Sequence, residues 1–215
     1  GAIAVPLNAW WTGGELAYGI EDSEAKILIV DMERYERLRE HLAALRSVER
    51  VIVARAGAPA AGTVALEDMV GDPRSWAGLP DAERPRTDLA SDDDAAIFYT
   101  SGTTGQPKGA LGTHRNLVTN ILSGGFSAAR SFLRRGEPVP EPAPRTTLTV
   151  IPLFHVTACS ATLMGAMAAG NTMIFMRKWD AVRAMEIIER EKVSVTGGVP
   201  TIAWQLIEHP DRAKY

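Results

Sequence analysis

The chain has 215 residues, of which 46% are hydrophobic and 23% charged, and its formal net charge at pH 7 is −3. That composition is typical of a globular protein with enough apolar residues for a core, and it excludes a chain that is disordered throughout. The small negative charge argues against nucleic acid as a partner, because phosphate binding needs a basic surface. The single cysteine excludes intrachain disulfides and favours a reducing compartment, so we expect a cytoplasmic location.

The ends of the chain predict that it is a piece of a longer protein. It begins at Gly1 without an initiator Met or a secretory signal, and residues 1–7 lead at once into a strand-like segment. It stops at Tyr215, directly after a helix-like stretch.

Strands and helices alternate along the first half of the chain. Thr12 and Glu15 form a capping box at the start of a helix, and Asp31 caps a second helix that keeps its apolar spacing to Leu45. Short apolar runs between these helices are typical of strands buried on both faces. Most of 57–92 is predicted as loop. The predicted strands are 3–7, 27–30, 51–54 and 96–100, and the predicted helices are 12–22, 31–45 and 66–70.

The second half continues the alternation around a long uncharged stretch. Residues 146–176 carry no formal charge apart from that of His155, but proline, glycine and polar residues interrupt them, which favours buried core over a membrane span. Residues 123–147 hold four prolines and are predicted as a surface excursion. The alternation predicts an α/β fold, with a mainly parallel sheet and covering helices. The remaining predicted elements are strands 110–111, 148–151, 172–176 and 193–196, and helices 113–122, 157–169, one from Asp180 and one from about Pro200.

A glycine-rich loop carries the clearest chemical signal. Tyr99 to Gly109 reads YTSGTTGQPKG, in which Gly102 and Gly105 allow a ligand to approach the backbone closely. Consecutive amides and hydroxyls in such a loop bind anions, and Lys108 adds a positive charge for phosphate oxygens. The glycine spacing and the proline before the lysine differ from a Walker loop. The segment therefore indicates a nucleotide-phosphate site of another kind.

The same run resembles the phosphate-binding signature of the adenylate-forming enzymes, which include acyl-CoA synthetases, peptide-synthetase adenylation domains and firefly luciferase. Four other segments resemble motifs of that family in the same order, and the chain is most similar to bacterial fatty acyl-CoA ligases. The resemblance implies that residues 1–215 are part of the large N-terminal, AMP-binding domain, without the small C-terminal domain. The four segments are 1–8, 113–117, 152–155 and 198–201.

The resemblance also implies roles for individual residues. His155 would lie near the reacting carboxylate, and the hydroxyl of Thr100 would help to hold Mg²⁺. Ala158 stands where the family often has glycine, which puts the depth of the acyl pocket in question. The residues implied to border the acyl chain are Gly198, Val199 and Trp204, and those implied to contact the phosphates of ATP are Thr100, Ser101, Gly102, Thr103, Thr104, Gly105 and Lys108.

The implied reaction joins ATP and a carboxylic acid, expected to be a medium or long fatty acid, into an acyl-adenylate and then passes the acyl group to coenzyme A. The family segments that hold adenine and ribose, and the lysine of the C-terminal domain, are missing here, so we expect the isolated chain to be inactive. Two other interpretations stay open: an adenylation domain that loads a carrier protein, and a nucleotide-binding segment without catalysis. A sheet cut at both sides exposes strand edges, so we also expect self-association.

Three features have simpler interpretations than a site. Asp92–Asp94 could form a metal cluster, but a solvated turn is favoured because no partner ligands are legible. Cys159 follows His155 by four residues and could act with it as a nucleophile, although a lone cysteine is more often a small buried side chain. The arginines at 130, 134, 135 and 145 are candidates for peripheral contact with anionic lipid, but without a predicted amphipathic helix a solvated loop is favoured.

Overall fold

The computed structural model describes residues 1–57, 61–79, 82–83, 85–102, 105–141 and 143–215. Its packing divides the chain into two compact units, Gly1–Thr113 and His114–Tyr215. Each unit contains a parallel sheet of three strands with helices packed beside it.

The first unit combines its parallel sheet with an antiparallel hairpin. Its elements are α1 (Gly13–Asp22), β1 (Ile27–Asp31), α2 (Met32–Leu38), β2 (Arg50–Ala54), β3 (Val64–Ala65), α3 (Leu66–Val70), β4 (Asp94–Thr100) and β5 (Lys108–Thr113). The strands β1, β2 and β3 pair in parallel in that order, and buried side chains of α1 and α2 pack against β1. The strands β4 and β5 form the hairpin.

Side-chain caps start the first two helices where the sequence predicts. The Thr12 hydroxyl accepts from the amide of Glu15 at 3.4 Å, and the Glu15 carboxylate accepts from the amide of Thr12 at 2.8 Å. Asp31 accepts from the amide of Arg34 at 3.0 Å. The helix after Asp31 is shorter than predicted, because α2 ends at Leu38; Leu45 is nevertheless buried in the core of this unit.

Three predictions about the strands of this unit differ from the structure. Residues 3–7 form no strand; Ala4 makes a single bridge to Ala96, and Pro6 has no amide hydrogen with which to extend a ladder. The predicted loop over 57–92 contains β3, whose two residues are too few to show a strand pattern. The hairpin strand β5 is also longer than the predicted strand 110–111.

The second unit surrounds a parallel sheet with β6 at its centre. Its elements are α4 (His114–Arg134), β6 (Thr146–Thr149), a π-helix (Thr157–Met164), α5 (Gly165–Ala168), β7 (Thr172–Phe175), α6 (Ala181–Arg190), β8 (Val195–Gly197) and α7 (Pro200–Ile207). The strand order is β7-β6-β8, and both pairings are parallel. Leu148 of β6 is 1% exposed and packs with Ala184 and Ile187 of α6, which Asp180 caps as predicted.

The helix α4 corrects the sequence analysis most clearly. It continues to Arg134, whereas the prediction ends it at about Leu122 and begins a surface excursion at 123. Gly136 terminates it with a φ of +71°: the amide of Gly136 donates to Leu133 at 3.1 Å, and the amide of Glu137 donates to Phe132 at 3.1 Å. This is a Schellman motif, and the glycine followed by Pro138 is a sequence signal that could have found it.

The predicted fold class is confirmed: helices cover sheets that are parallel except at the β4–β5 hairpin. The strand β6 lies two residues before the predicted 148–151, and β8 begins two residues after and ends one residue after the predicted 193–196. The uncharged stretch 146–176 folds into short elements of the second unit. Within the described ranges, no helix has both the length and the apolar character needed to cross a bilayer.

Candidate functional site

The glycine-rich loop joins β4 to β5, so its two ends are held in register by the hairpin. Gly102 has a φ of +36°, and a Cβ atom there would lie 2.7 Å from the backbone oxygen of Gln106. Gly105 has a φ of +108°. Both values fall where side chains are disfavoured, so the loop requires glycine at these positions. Two predicted ligands of the phosphates, Thr103 and Thr104, lie outside the described residues.

The polar side chains of the loop that the structure describes are open to a ligand. Thr100, Ser101 and Lys108 are exposed. Among the residues that the structure describes, no acidic side chain pairs with Lys108. The ammonium group is therefore available to an anion, and phosphate oxygens are its natural partners.

The Thr100 hydroxyl donates a hydrogen bond to the Lys108 carbonyl at 3.4 Å, which leaves the oxygen's lone pairs for another partner. Mg²⁺ at a nucleotide site prefers oxygen ligands and takes few of them from the protein. The hydroxyl therefore fits the implied role beside a metal ion. In the described part of the chain, no group of three or more His, Cys, Asp or Glu side chains could hold a metal ion. The Thr100 hydroxyl would therefore contribute to a metal site without such a cluster beside it.

Two tyrosines fasten the hairpin to α1. The Tyr18 hydroxyl donates to the carbonyl of Pro107, inside the loop, at 3.1 Å. The Tyr99 hydroxyl donates to the Asp22 carboxylate at 2.5 Å and also lies 3.3 Å from the carbonyl of Gly19. Burial, together with the bond to Asp22, raises the pKa of Tyr99 well above its usual range, so the phenol stays protonated. This anchoring was not predicted from the sequence, although Tyr99 opens the loop motif.

His155 lies in the second unit, after the carboxyl end of β6. It is exposed, and it forms a turn in which its amide donates to Pro152 at 3.0 Å. Its carbonyl accepts from the amide of Cys159 at 3.0 Å, one helical turn later. Burial raises the pKa of the Cys159 thiol, which disfavours a thiolate nucleophile and supports the simpler role of this cysteine. Ala158 is fully buried, so its methyl group occupies the interior.

Gly198, Val199 and Trp204 follow the carboxyl end of β8. Val199 precedes α7, and the side chains of Val199 and Trp204 are each 58% exposed. Trp204 lines a shallow groove of about 540 Å³ with Trp179 and Gln205, whereas Gly198 and Val199 do not line it. Because β6 and β8 are parallel, His155 and Gly198 both follow strands that end at the same edge of the sheet.

The acidic run Asp92–Asp94 forms a turn that leads into β4, of which Asp94 is the first residue. Asp92, Asp93 and Asp94 are exposed, and Asp93 accepts from the amide of Ala90 at 2.9 Å. These contacts favour the solvated-turn interpretation over a metal cluster.

Known proteins resemble the chain in sequence and in fold. The AMP-binding enzyme family matches residues 1–215. The 4-coumarate–CoA ligase 1 of Narcissus pseudonarcissus is 28% identical over 221 aligned residues, which cover 100% of this chain and 36% of the relative. A long-chain-fatty-acid–CoA ligase of Mycobacterium tuberculosis is 30% identical, with 100% of this chain and 38% of the relative covered. The crystal structure of ATP-bound MatB from Rhodopseudomonas palustris matches with a TM-score of 0.68 at 29% identity, over 97% of this chain and 36% of that one.

The chain thus spans a little more than a third of the length of these curated relatives, which cover it from end to end. These matches confirm the resemblance to adenylate-forming enzymes that the loop and the four other segments indicate. Because the family matches the whole chain, the chain belongs to the AMP-binding enzyme family.

Proposed function

We propose that the chain is part of the N-terminal domain of an ATP-dependent acyl-CoA ligase. The observation that carries the proposal is the loop between β4 and β5, where two glycines, exposed hydroxyls and a lysine with no ion-pair partner among the described residues offer a binding surface for phosphate. The CoA ligases among the relatives support coenzyme A as acyl acceptor over a carrier protein. The MatB structure with bound ATP supports ATP as the nucleotide.

In this proposal the loop holds the β- and γ-phosphates of ATP. Lys108 neutralises phosphate charge, and the amides and hydroxyls from Ser101 to Gly105 donate hydrogen bonds. Thr100 supplies one oxygen ligand to Mg²⁺, which when bound offsets charge on the phosphates. Positive groups fixed in advance stabilise the charge that develops as pyrophosphate leaves, and this is the largest contribution expected from the loop.

The carboxyl edge of the second sheet takes the acid. His155 lies next to the reacting carboxylate, and Gly198, Val199 and Trp204 border the acyl group. We propose a medium or long fatty acid as the substrate, which the fatty-acid ligase among the relatives supports at 30% identity.

Titration calorimetry with ATP tests the loop. Gly102→Ala places a methyl group against the Gln106 carbonyl and forces a left-handed residue to carry a side chain, so ATP affinity is expected to fall about tenfold or more. Gly125→Ala is the matched control, because it lies inside α4 with nothing within 4 Å of the new methyl group. Unchanged ATP affinity in Gly102→Ala would contradict the proposed site.

Turnover is a separate question. We expect no carboxylate-dependent exchange of pyrophosphate into ATP by the isolated chain, because the family segments for adenine, ribose and the C-terminal lysine are not in it. Exchange by the purified, folded chain would overturn that expectation. In the full enzyme, acyl-CoA as the product distinguishes the ligase from an adenylation domain that loads a carrier protein, and ATP binding without acyl-adenylate would favour a non-catalytic segment.

We also propose that the isolated chain self-associates and that the parent protein is cytoplasmic, with membrane contact at most peripheral. The support for association is the exposed apolar surface of β1, where Ile27 and Ile29 are 58% and 64% exposed. Light scattering at high concentration should give a mass above 23.2 kDa. A monodisperse monomer would refute association.

A further inference from the structure

A buried hydroxyl without a partner lies at the end of the central strand of the second unit. Thr149 is 4% exposed, and within the described residues its Oγ1 has no hydrogen-bond partner. Buried polar groups are nearly always paired, because an unmet hydroxyl loses its bonds to water without replacement. The missing hydrogen bond of Thr149 Oγ1 needs an explanation, and a bond to an atom of a ligand would supply one.

The surroundings of Thr149 favour a ligand. Leu148 points to the α6 side of the sheet, so Thr149 points to the opposite face. Its neighbours in register are Phe175 of β7 and Gly197 of β8. Phe175 is 52% exposed, and a Cβ atom built on Gly197 would meet nothing within 4 Å.

The positions beside Thr149 in the sheet are thus a half-exposed aromatic residue and a glycine that adds no side chain. All three residues end their strands at the carboxyl edge of a parallel sheet, where α/β proteins commonly bind ligands.

We propose that Thr149 is a specificity-determining residue, and that the acid it selects carries a second oxygen, as a hydroxyl or carbonyl, within its acyl group. This inference rests on the proposed function, which puts the acyl group at this edge. A plain hydrocarbon chain would leave Oγ1 without a partner, whereas a substrate oxygen satisfies it. A binding site whose buried polar group needs a hydrogen bond discriminates against a substrate analogue that lacks the atom to form that bond.

Thermal unfolding of the ligand-free chain tests the first half of the inference. Thr149→Val keeps the shape and removes the unmet hydroxyl, so the unfolding midpoint should rise by about 2–4 °C. Thr196→Val is the control, because the Thr196 hydroxyl donates to Leu148 at 3.1 Å, and its loss should lower the midpoint. A fall in Thr149→Val like that of the control would mean that the hydroxyl has a partner inside the protein, and would overturn the inference.

Calorimetric titration of the same chain tests the second half. The probes are two matched pairs, 4-hydroxycinnamate with cinnamate and ω-hydroxydecanoate with decanoate. The oxygenated member of at least one pair should bind the natural chain about tenfold more tightly, and Thr149→Val should abolish that preference.

Each titration outcome is decisive. A preference that survives in Thr149→Val, or no preference in the natural chain, overturns the inference and leaves the proposed function intact. Binding of ATP but of none of the four acids overturns the inference and the proposed acyl site. Failure to bind ATP as well contradicts the proposed function itself.

Discussion

The loop of the first unit and the sheet edge of the second are built in different ways. The loop is one contiguous segment between paired strands, shaped by its own glycines and fastened by Tyr18 and Tyr99. The sheet edge is assembled from strands far apart in the chain, and its order depends on the core beneath Leu148. A site of the first kind depends on a few polar contacts, whereas a site of the second kind depends on packing.

Removing the central core side chain of the second unit tests its dependence on packing. Leu148→Ala creates a cavity at a side chain that is 1% exposed, and should lower the free energy of unfolding by about 2–5 kcal/mol. Urea titration followed by circular dichroism measures the change. Leu122→Ala, at a position that is 67% exposed, is the control and should change the free energy far less. Equal losses in both variants would mean that this packing does not stabilise the sheet.

Removing the positive charge of Lys108 should weaken ATP binding without changing the stability of the fold. Lys108→Met deletes a charge-assisted contact with phosphate, which corresponds to an increase of about 10- to 100-fold in the Kd for ATP. The unfolding midpoint should stay the same, because Lys108 is exposed and has no ion-pair partner among the described residues. Lys26→Met, which removes a surface pair with Glu49, controls for the loss of one positive charge. An equal change in ATP affinity in both variants would exclude a specific role for Lys108.

Removing the tyrosine hydrogen bonds that link the hairpin to α1 should change stability and ATP affinity less than the two preceding substitutions. Tyr99→Phe removes the bonds to Asp22 and Gly19 and should cost about 1 kcal/mol of unfolding free energy. The loop is then less restrained, so ATP affinity should fall severalfold. Tyr18→Phe removes the hydrogen bond to the Pro107 carbonyl and should also lower ATP affinity. Full ATP affinity in the double variant would show that the tyrosines do not order the loop.

The smallest expected effect concerns the capping box of α1. Bonds from the backbone amide and the hydroxyl of Thr12 lower the pKa of the Glu15 carboxyl below its usual range. Because the folded pKa is the lower one, the stabilisation is complete above the ordinary pKa of glutamate and is lost as the pH falls through the lowered value. Glu15→Gln should therefore lower the unfolding midpoint at neutral pH, and the difference should vanish in acid. A difference that is the same at both pH values would contradict this coupling.

Local signals predicted the parts of the structure that local contacts determine. Thr12, Asp31 and Asp180 each cap a helix by accepting a hydrogen bond from the backbone amide three residues later. The starts of α1, α2 and α6 could therefore be predicted from the sequence. The conformation that Gly102 and Gly105 adopt follows from the loop itself.

Features that arise from contacts between residues far apart in the chain could not be predicted from the sequence. The two-residue strand β3 emerges only when it pairs with β2. Thr149 looked like one more strand residue, because its neighbours in register, Phe175 and Gly197, lie far along the chain. The continuation of α4 to Arg134 was missed for another reason: the four prolines of residues 123–147 led the whole segment to be predicted as a surface excursion, although they all follow Gly136, where the helix ends.

The hairpin has a consequence for the order in which the chain folds. Its strands are adjacent in sequence, and β-hairpins form within about 1–10 μs, whereas parallel pairs must first close longer connections. The register that brings Thr100 opposite Lys108 can therefore form before either parallel sheet is complete. When the complete chain refolds, this hairpin and the loop ends that it holds would be among the first parts to pair.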